Sequence, residues 1–211
     1  MAEVQFSVLE KDILQELMNI GFGQAAADLA QVIDLSIELS VPDIQLFKAR
    51  DLREHIANAV DKDQEFSLVE QYFLGKFKGI ALMVFPAKAG KQLVSLFGLQ
   101  DHRNSPSERL ELLEKEAMIE VGNILIGACV GKITELLNDV VIYSPPRVMI
   151  HDVRNSALPK SIFDPSSMAI SMKTVFHFEQ QEISGQLFLI ANQESIAWLK
   201  SALHAFMEQY E

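Results

Sequence analysis

The sequence predicts an α+β fold in which two copies of a helix–strand–hairpin–helix unit, related by a pseudo-two-fold axis, share an antiparallel sheet flanked by two long helices. Three observations predict it. The block from Lys11 to Ile20 recurs as Lys115 to Ile124, with lysine, glutamate, asparagine and isoleucine coinciding at an offset of 104 residues. The same offset pairs Gly23 with Gly127, Ser40 with Ser144 and Pro42 with Pro146, so 22 residues separate asparagine from proline in each copy. Finally, segments rich in Val, Ile and Phe follow each helix and are spaced by turn residues, as hairpin strands are.

The elements follow in order. Ile13, Leu14, Leu17, Ile20, Ala25, Leu29, Val32 and Ile33 recur at helical spacing and predict a helix from about Leu9 to Val32. A strand ends at Pro42, which cannot donate to a sheet ladder and is read as fixing a bend; Pro146 does the same in the second copy. After a variable connection, Gly75-Lys76-Phe77-Lys78-Gly79 turns a hairpin into the apolar run Gly79 to Pro86, and a helical pattern covers Ala89 to Phe97. The polar stretch Gln100 to Ser107 divides the chain into repeats of about 1–103 and 104–211 within a single domain. In the second repeat Gly185 to Ile190 answers Gly79 onward with a two-residue slip, and a helix is expected over Ser195 to Leu203.

Composition narrows the function. Apolar residues make up 49% of 211, enough for a sizeable core, yet no run reaches the roughly 18 uninterrupted apolar residues of a membrane span. A net charge of −11 with no Lys/Arg cluster argues against a nucleic acid partner, which needs a basic face. The N-terminus lacks a basic region ahead of an apolar stretch, and Cys129 is the single cysteine; together they point to the cytoplasm and exclude an internal disulfide. Cys129 lies in an apolar run and reads as a buried, inert thiol. His151-Asp152 reads as an isolated loop dipeptide without a nucleophile motif.

Along the first helix Asp12, Glu16, Asn19 and Gly23 fall at i, i+4, i+7 and i+11, one line opposite the apolar stripe. Glu116, Glu120, Asn123 and Gly127 trace the same line in the second. Groups presented outward cannot enclose a small substrate, but they can enter another protein's site. For Glu16 and Glu120 a solvated helix surface is the commoner setting. Asparagine is a mediocre mid-helix residue, so finding it twice three positions after Glu calls for a reason. Gly21, Gly23, Gly122 and Gly127 each cost about 1 kcal/mol against alanine in a helix; either a partner's close approach or a tight helix crossing explains them.

Asp12, Glu16, Asn19 and Pro42, with Glu116, Glu120, Asn123 and Pro146, resemble the signature of the CheC/CheX/FliY family of chemotaxis phosphatases. Glu116 stands where the family usually shows Asp or Ser. The phrase Asn19-Ile20-Gly21-Phe22-Gly23, the Gly75–Gly79 hairpin and the duplicated layout are similar too, and the chain looks CheC-like within the family. The resemblance implies hydrolysis of the aspartyl phosphate on a phosphorylated CheY-like response regulator. Asn19 and Asn123 would orient the attacking water, and Glu16 and Glu120 would dock to the regulator. It implies no cofactor of the chain's own, Mg2+ residing on the regulator, and no membrane insertion. Lys11 and Lys115, beside the motif in both copies, either help attract an acidic pocket or are ordinary solvated lysines. The other reading is a non-catalytic docking module for a response regulator or a CheD-type deamidase.

Overall fold

The computed structural model describes residues 5–33, 37–59, 65–86, 88–97, 106–152, 168–178 and 181–208. The chain runs α1 (Val8–Ile33), β1 (Ile37–Leu39), β2 (Asp43–Lys48), a 3-10 turn (Ala49–Asp51), α2 (Leu52–Ala59), β3 (Glu65–Leu74), β4 (Gly79–Pro86) and α3 (Ala89–Leu96). It continues through α4 (Pro106–Leu136), β5 (Ile142–Tyr143), β6 (Arg147–Asp152), β7 (Met168–Phe178), β8 (Gln181–Ala191) and α5 (Gln193–Glu208). This is the α+β architecture expected.

Among the described residues, eight strands join one antiparallel sheet in the order β1-β7-β8-β4-β3-β5, with β2 also on β7 and β6 also on β3. Read from either edge, the sheet begins with a short strand and its sequel beyond a proline, then a hairpin. The edge strands of each half lie on the hairpin of the other, so neither half's sheet is complete alone. Pro42 falls between β1 and β2, and Pro146 between β5 and β6.

Several expectations shift. Asp43 opposes Lys173 as Arg147 opposes Glu70, and Phe176 opposes Ile183 as Phe73 opposes Gly79. Gly79 therefore stands where Ile183 stands, and the two-residue slip onto Gly185 does not hold. His151 and Asp152 are not a loop but the end of β6, opposite Phe66 and Glu65. Most of the proposed linker lies outside the described residues, but its last two residues, Pro106 and Ser107, already belong to α4, where a proline suits the first turn.

The sheet is apolar on both faces. Val69, Phe73, Met83, Phe85, Leu187 and Leu189 pack under the helices, while Phe66, Leu68, Leu82, Val84, Phe188 and Ile190 face a smaller cluster with Ala49 and Leu52. α1 buries Leu14, Met18, Phe22, Ala25 and Leu29. Ile20, expected in that stripe, is 51% exposed: it lies off the buried arc and borders an open cleft with Leu17, Lys132, Leu136, Ala205 and Phe206. α4 over Glu111–Leu136 is long and apolar enough to cross a membrane by length and composition, but its apolar side packs on the sheet and on α1. Cys129 is fully buried there, and burial pushes its thiol pKa well up.

The helix ends are fixed by named contacts. Ser7 and Glu10 form a reciprocal cap at the start of α1: Ser7 N donates to Glu10 Oε2 at 2.6 Å, and Glu10 N donates to Ser7 Oγ at 3.2 Å. Asn192 Oδ1 accepts from Ser195 N at 2.8 Å and caps α5. α4 ends in a Schellman turn, with Asn138 at φ 48, Asn138 N on Glu135 O and Asp139 N on Thr134 O.

Candidate functional site

α1 and α4 pack against each other over the helix-facing side of the sheet, and their outer lines carry the motif residues. Asp12, Glu16, Asn19 and Gly23 are all exposed on α1. On α4, Glu116 and Asn123 are exposed, whereas Glu120 and Gly127 are half-buried. Lys11 and Lys115 are half-buried beside them. Apolar side chains border each line: Val8 and Leu9 stand exposed at the start of α1, and Leu112 stands exposed one repeat later, where Val8 would fall.

The glycines divide into two kinds. A Cβ at Gly21 would meet Lys132 Cγ at 3.0 Å and the Ala128 carbonyl oxygen at 3.3 Å, so this glycine serves the α1–α4 crossing. One at Gly122 would meet Val69 Cγ1 at 2.9 Å, where α4 lies on β3. Gly23 and Gly127 have nothing within 4 Å of the same position. No internal contact requires a glycine at these two places, and both lie one turn beyond a motif asparagine.

The loops carrying the prolines are tied to the motif helices. Gln15 Nε2 donates to Pro42 O at 3.0 Å, holding the β1–β2 bend against α1. At the second motif helix, Gln71 of the first-half strand β3 does more. Its Nε2 donates to Asn123 Oδ1 at 3.0 Å and to Ser144 O at 3.0 Å, while Ser144 clasps Tyr72 through backbone and hydroxyl. Among the described residues Asn19 makes no side-chain hydrogen bond. Sequence reading missed Gln71; the available signal was a glutamine alternating with Val69 and Phe73 on the helix-facing side of β3. Tyr143 leans toward α4, its hydroxyl 3.5 Å from Gly127 O, and burial beside Cys129 pushes its pKa up to about 12. Among the described residues no three His, Cys, Asp or Glu side chains converge as a metal-ligand set.

Residues 9–46, which enclose Asp12, Glu16, Asn19 and Pro42, match the model of the CheC-like family. Over 202 residues the chain is 25% identical to the CheY-P phosphatase CheC of Bacillus subtilis (strain 168), covering 93% of this chain and 94% of that protein. The chain is similar to the CheC-like family where its first motif lies, and to CheC along nearly its whole length. A second relative, the flagellar motor switch phosphatase FliY of the same organism, is 22% identical over 147 residues, which span 70% of this chain but 37% of that protein. The crystal structure of Thermotoga maritima FliY has the same fold, with a TM-score of 0.73 and 20% identity, covering 95% of this chain and 98% of that one.

Proposed function

We propose that this CheC-like chain is a phosphatase that hydrolyses the aspartyl phosphate of a phosphorylated CheY-like response regulator. The observation that carries the reading is the outward Glu/Asn pair followed by an unobstructed glycine, present on α1 at Glu16, Asn19 and Gly23 and again on α4 at Glu120, Asn123 and Gly127. The names of the two Bacillus subtilis relatives support it.

An aspartyl phosphate is already activated, so positioning and charge neutralisation supply most of the catalysis. The helix carrying the motif enters the regulator's cleft, and the asparagine carboxamide oxygen accepts a hydrogen bond from a water held in line with the acyl–phosphate bond. Water oxygen bonds to phosphorus as the phosphorus–oxygen bond to the aspartate breaks, leaving a free carboxylate and inorganic phosphate. A neutral amide suits this role, because a carboxylate would repel the phosphoryl oxygens. Glu16 and Glu120 pair with a cationic side chain of the regulator and fix the depth of entry. Asp12 and Glu116 complete the line one turn earlier, and Pro42 and Pro146 hold the adjoining bends. Mg2+ on the regulator supplies charge neutralisation at the phosphoryl group.

The test is the lifetime of the phosphorylated, Mg2+-bound regulator with and without the chain. Catalytic shortening at substoichiometric chain supports the reading. Binding that leaves the lifetime unchanged would make the chain a docking module instead.

A further inference from the structure

We propose that Gln71 is a positioning residue for the α4 site, so that the two sites are unequal and the one around Asn123 is the pre-set one. This rests on the reading of Asn123 as the water-orienting carboxamide.

The chain of hydrogen bonds has only one sense. A main-chain carbonyl accepts and cannot donate, so Ser144 O, 3.0 Å away, fixes which end of the Gln71 amide is nitrogen. That NH2 group then fixes Asn123, whose Oδ1 lies 3.0 Å from it. Ser144 is itself pinned: its N donates to Tyr72 O at 2.9 Å, its hydroxyl accepts from Tyr72 N at 3.0 Å, and two prolines follow it. The orientation of the exposed Asn123 amide is thus set by the sheet backbone through one buried side chain. Among the described residues, one lone pair of Oδ1 remains for water, and both Nδ2 hydrogens remain for an acceptor on the partner.

Gln71 is an expensive residue for that place. It is 3% exposed between Val69 and Phe73, and among the described residues its Oε1 is buried without a hydrogen-bond partner. An apolar side chain of the same shape would avoid that desolvation. What the glutamine adds is the tether to Asn123. On α1, Asn19 is exposed and untethered among the described residues, so its amide must be ordered on each encounter, at an entropic cost to the rate.

The experiment measures kcat and KM for phosphate release from a phosphorylated CheY-like regulator in two backgrounds: Asn19→Ala, which leaves the α4 site, and Asn123→Ala, which leaves the α1 site. Gln71→Leu is expected to lower kcat about five- to tenfold with KM within about twofold in the first background, and to change kcat less than about twofold in the second. The second background doubles as the folding control; should Gln71→Leu unfold the chain, Gln71→Met keeps the unbranched shape, removes the donor and is expected to give the same split. Equal losses in both backgrounds would assign Gln71 to the fold alone and overturn the inference. No loss in either would overturn it while leaving the phosphatase reading intact. If the Asn19→Ala chain is no faster than the Asn19→Ala/Asn123→Ala chain, the α4 site is inactive and the inference falls; activity retained by Asn123→Ala would then leave the phosphatase reading standing at α1.

Discussion

Gly122 of α4 lies so close to Val69 of β3 that a Cβ built on the glycine would come within 2.9 Å of the valine's Cγ1. Five residues on, Gly127 faces open space, as Gly23 does on α1. Two glycines of one helix thus answer to different demands, close packing at one and an open face at the other. Gly122→Ala should destabilise the chain by about 1–3 kcal/mol through overpacking. Gly23→Ala and Gly127→Ala should each stabilise it by about 0.5–1 kcal/mol, because helix propensity improves and nothing is displaced. If the open face admits the regulator, the two stabilised variants should also lose phosphatase rate. Urea unfolding beside phosphate-release assays checks both, and a stabilised variant with undiminished turnover would detach Gly23 and Gly127 from function.

Acid should loosen the N-terminal cap. Glu10 is 2% exposed; burial raises its pKa, but the bonds with Ser7 and the charge of Lys200, 3.3 Å away, outweigh that and bring it below the ordinary 4.5. His204 Nε2 lies 3.1 Å from the same carboxylate. A lowered folded-state pKa contributes stability that is complete above the unfolded value and is lost as pH falls through the folded one. Stability should therefore decline below about pH 5. Glu10→Gln should flatten that decline and cost about 1 kcal/mol at neutral pH, measured by urea midpoints across pH.

Asp139 clips the β3–β4 hairpin to the end of α4. Its carboxylate accepts from the backbone N–H of Lys76. Its residual burial would raise the pKa, but backbone N–H donors of Lys76, Val140 and Phe77 lower it overall. Asp139→Ala should speed amide hydrogen exchange at Lys76 and Phe77 while leaving β4 residues such as Leu82 and Met83 protected. Uniform acceleration across the sheet would show instead that the clip supports the whole fold.

Lys11 and Lys115 adjoin the motif lines of a chain whose net charge is −11. If they steer an acidic pocket onto the helices, Lys11→Ala with Lys115→Ala should slow association with the regulator several-fold at low salt and little at high salt. An unchanged association rate across salt concentrations would leave them as ordinary surface lysines.

The motif line was legible because helical spacing alone places Asp12, Glu16, Asn19 and Gly23 together, and repetition at one offset gave each a counterpart. Strand existence was legible from Val, Ile and Phe content. A sheet shared by the two halves was expected, but the individual partners were not legible: nothing local in β1 says that it will lie on β7. The slip toward Gly185 failed for a related reason, since a shared glycine weighs less than a hairpin register. Ile20 deceived because the periodicity admits a residue at the border of the buried arc as readily as one at its centre. Gln71 was invisible as a site residue because its partner Asn123 is 52 positions away and only the sheet brings them together.

The most direct test of the phosphatase account is phosphate release from a magnesium-bound, phosphorylated CheY-like regulator, comparing the wild-type chain with Asn19→Ala/Asn123→Ala. The account predicts that the double variant remains folded, still binds the phosphorylated regulator, and loses at least about a hundredfold in kcat, the scale expected when the group orienting a reactant is removed. A double variant that binds and turns over as fast as wild type would contradict it, and would move the chemistry away from both motif helices.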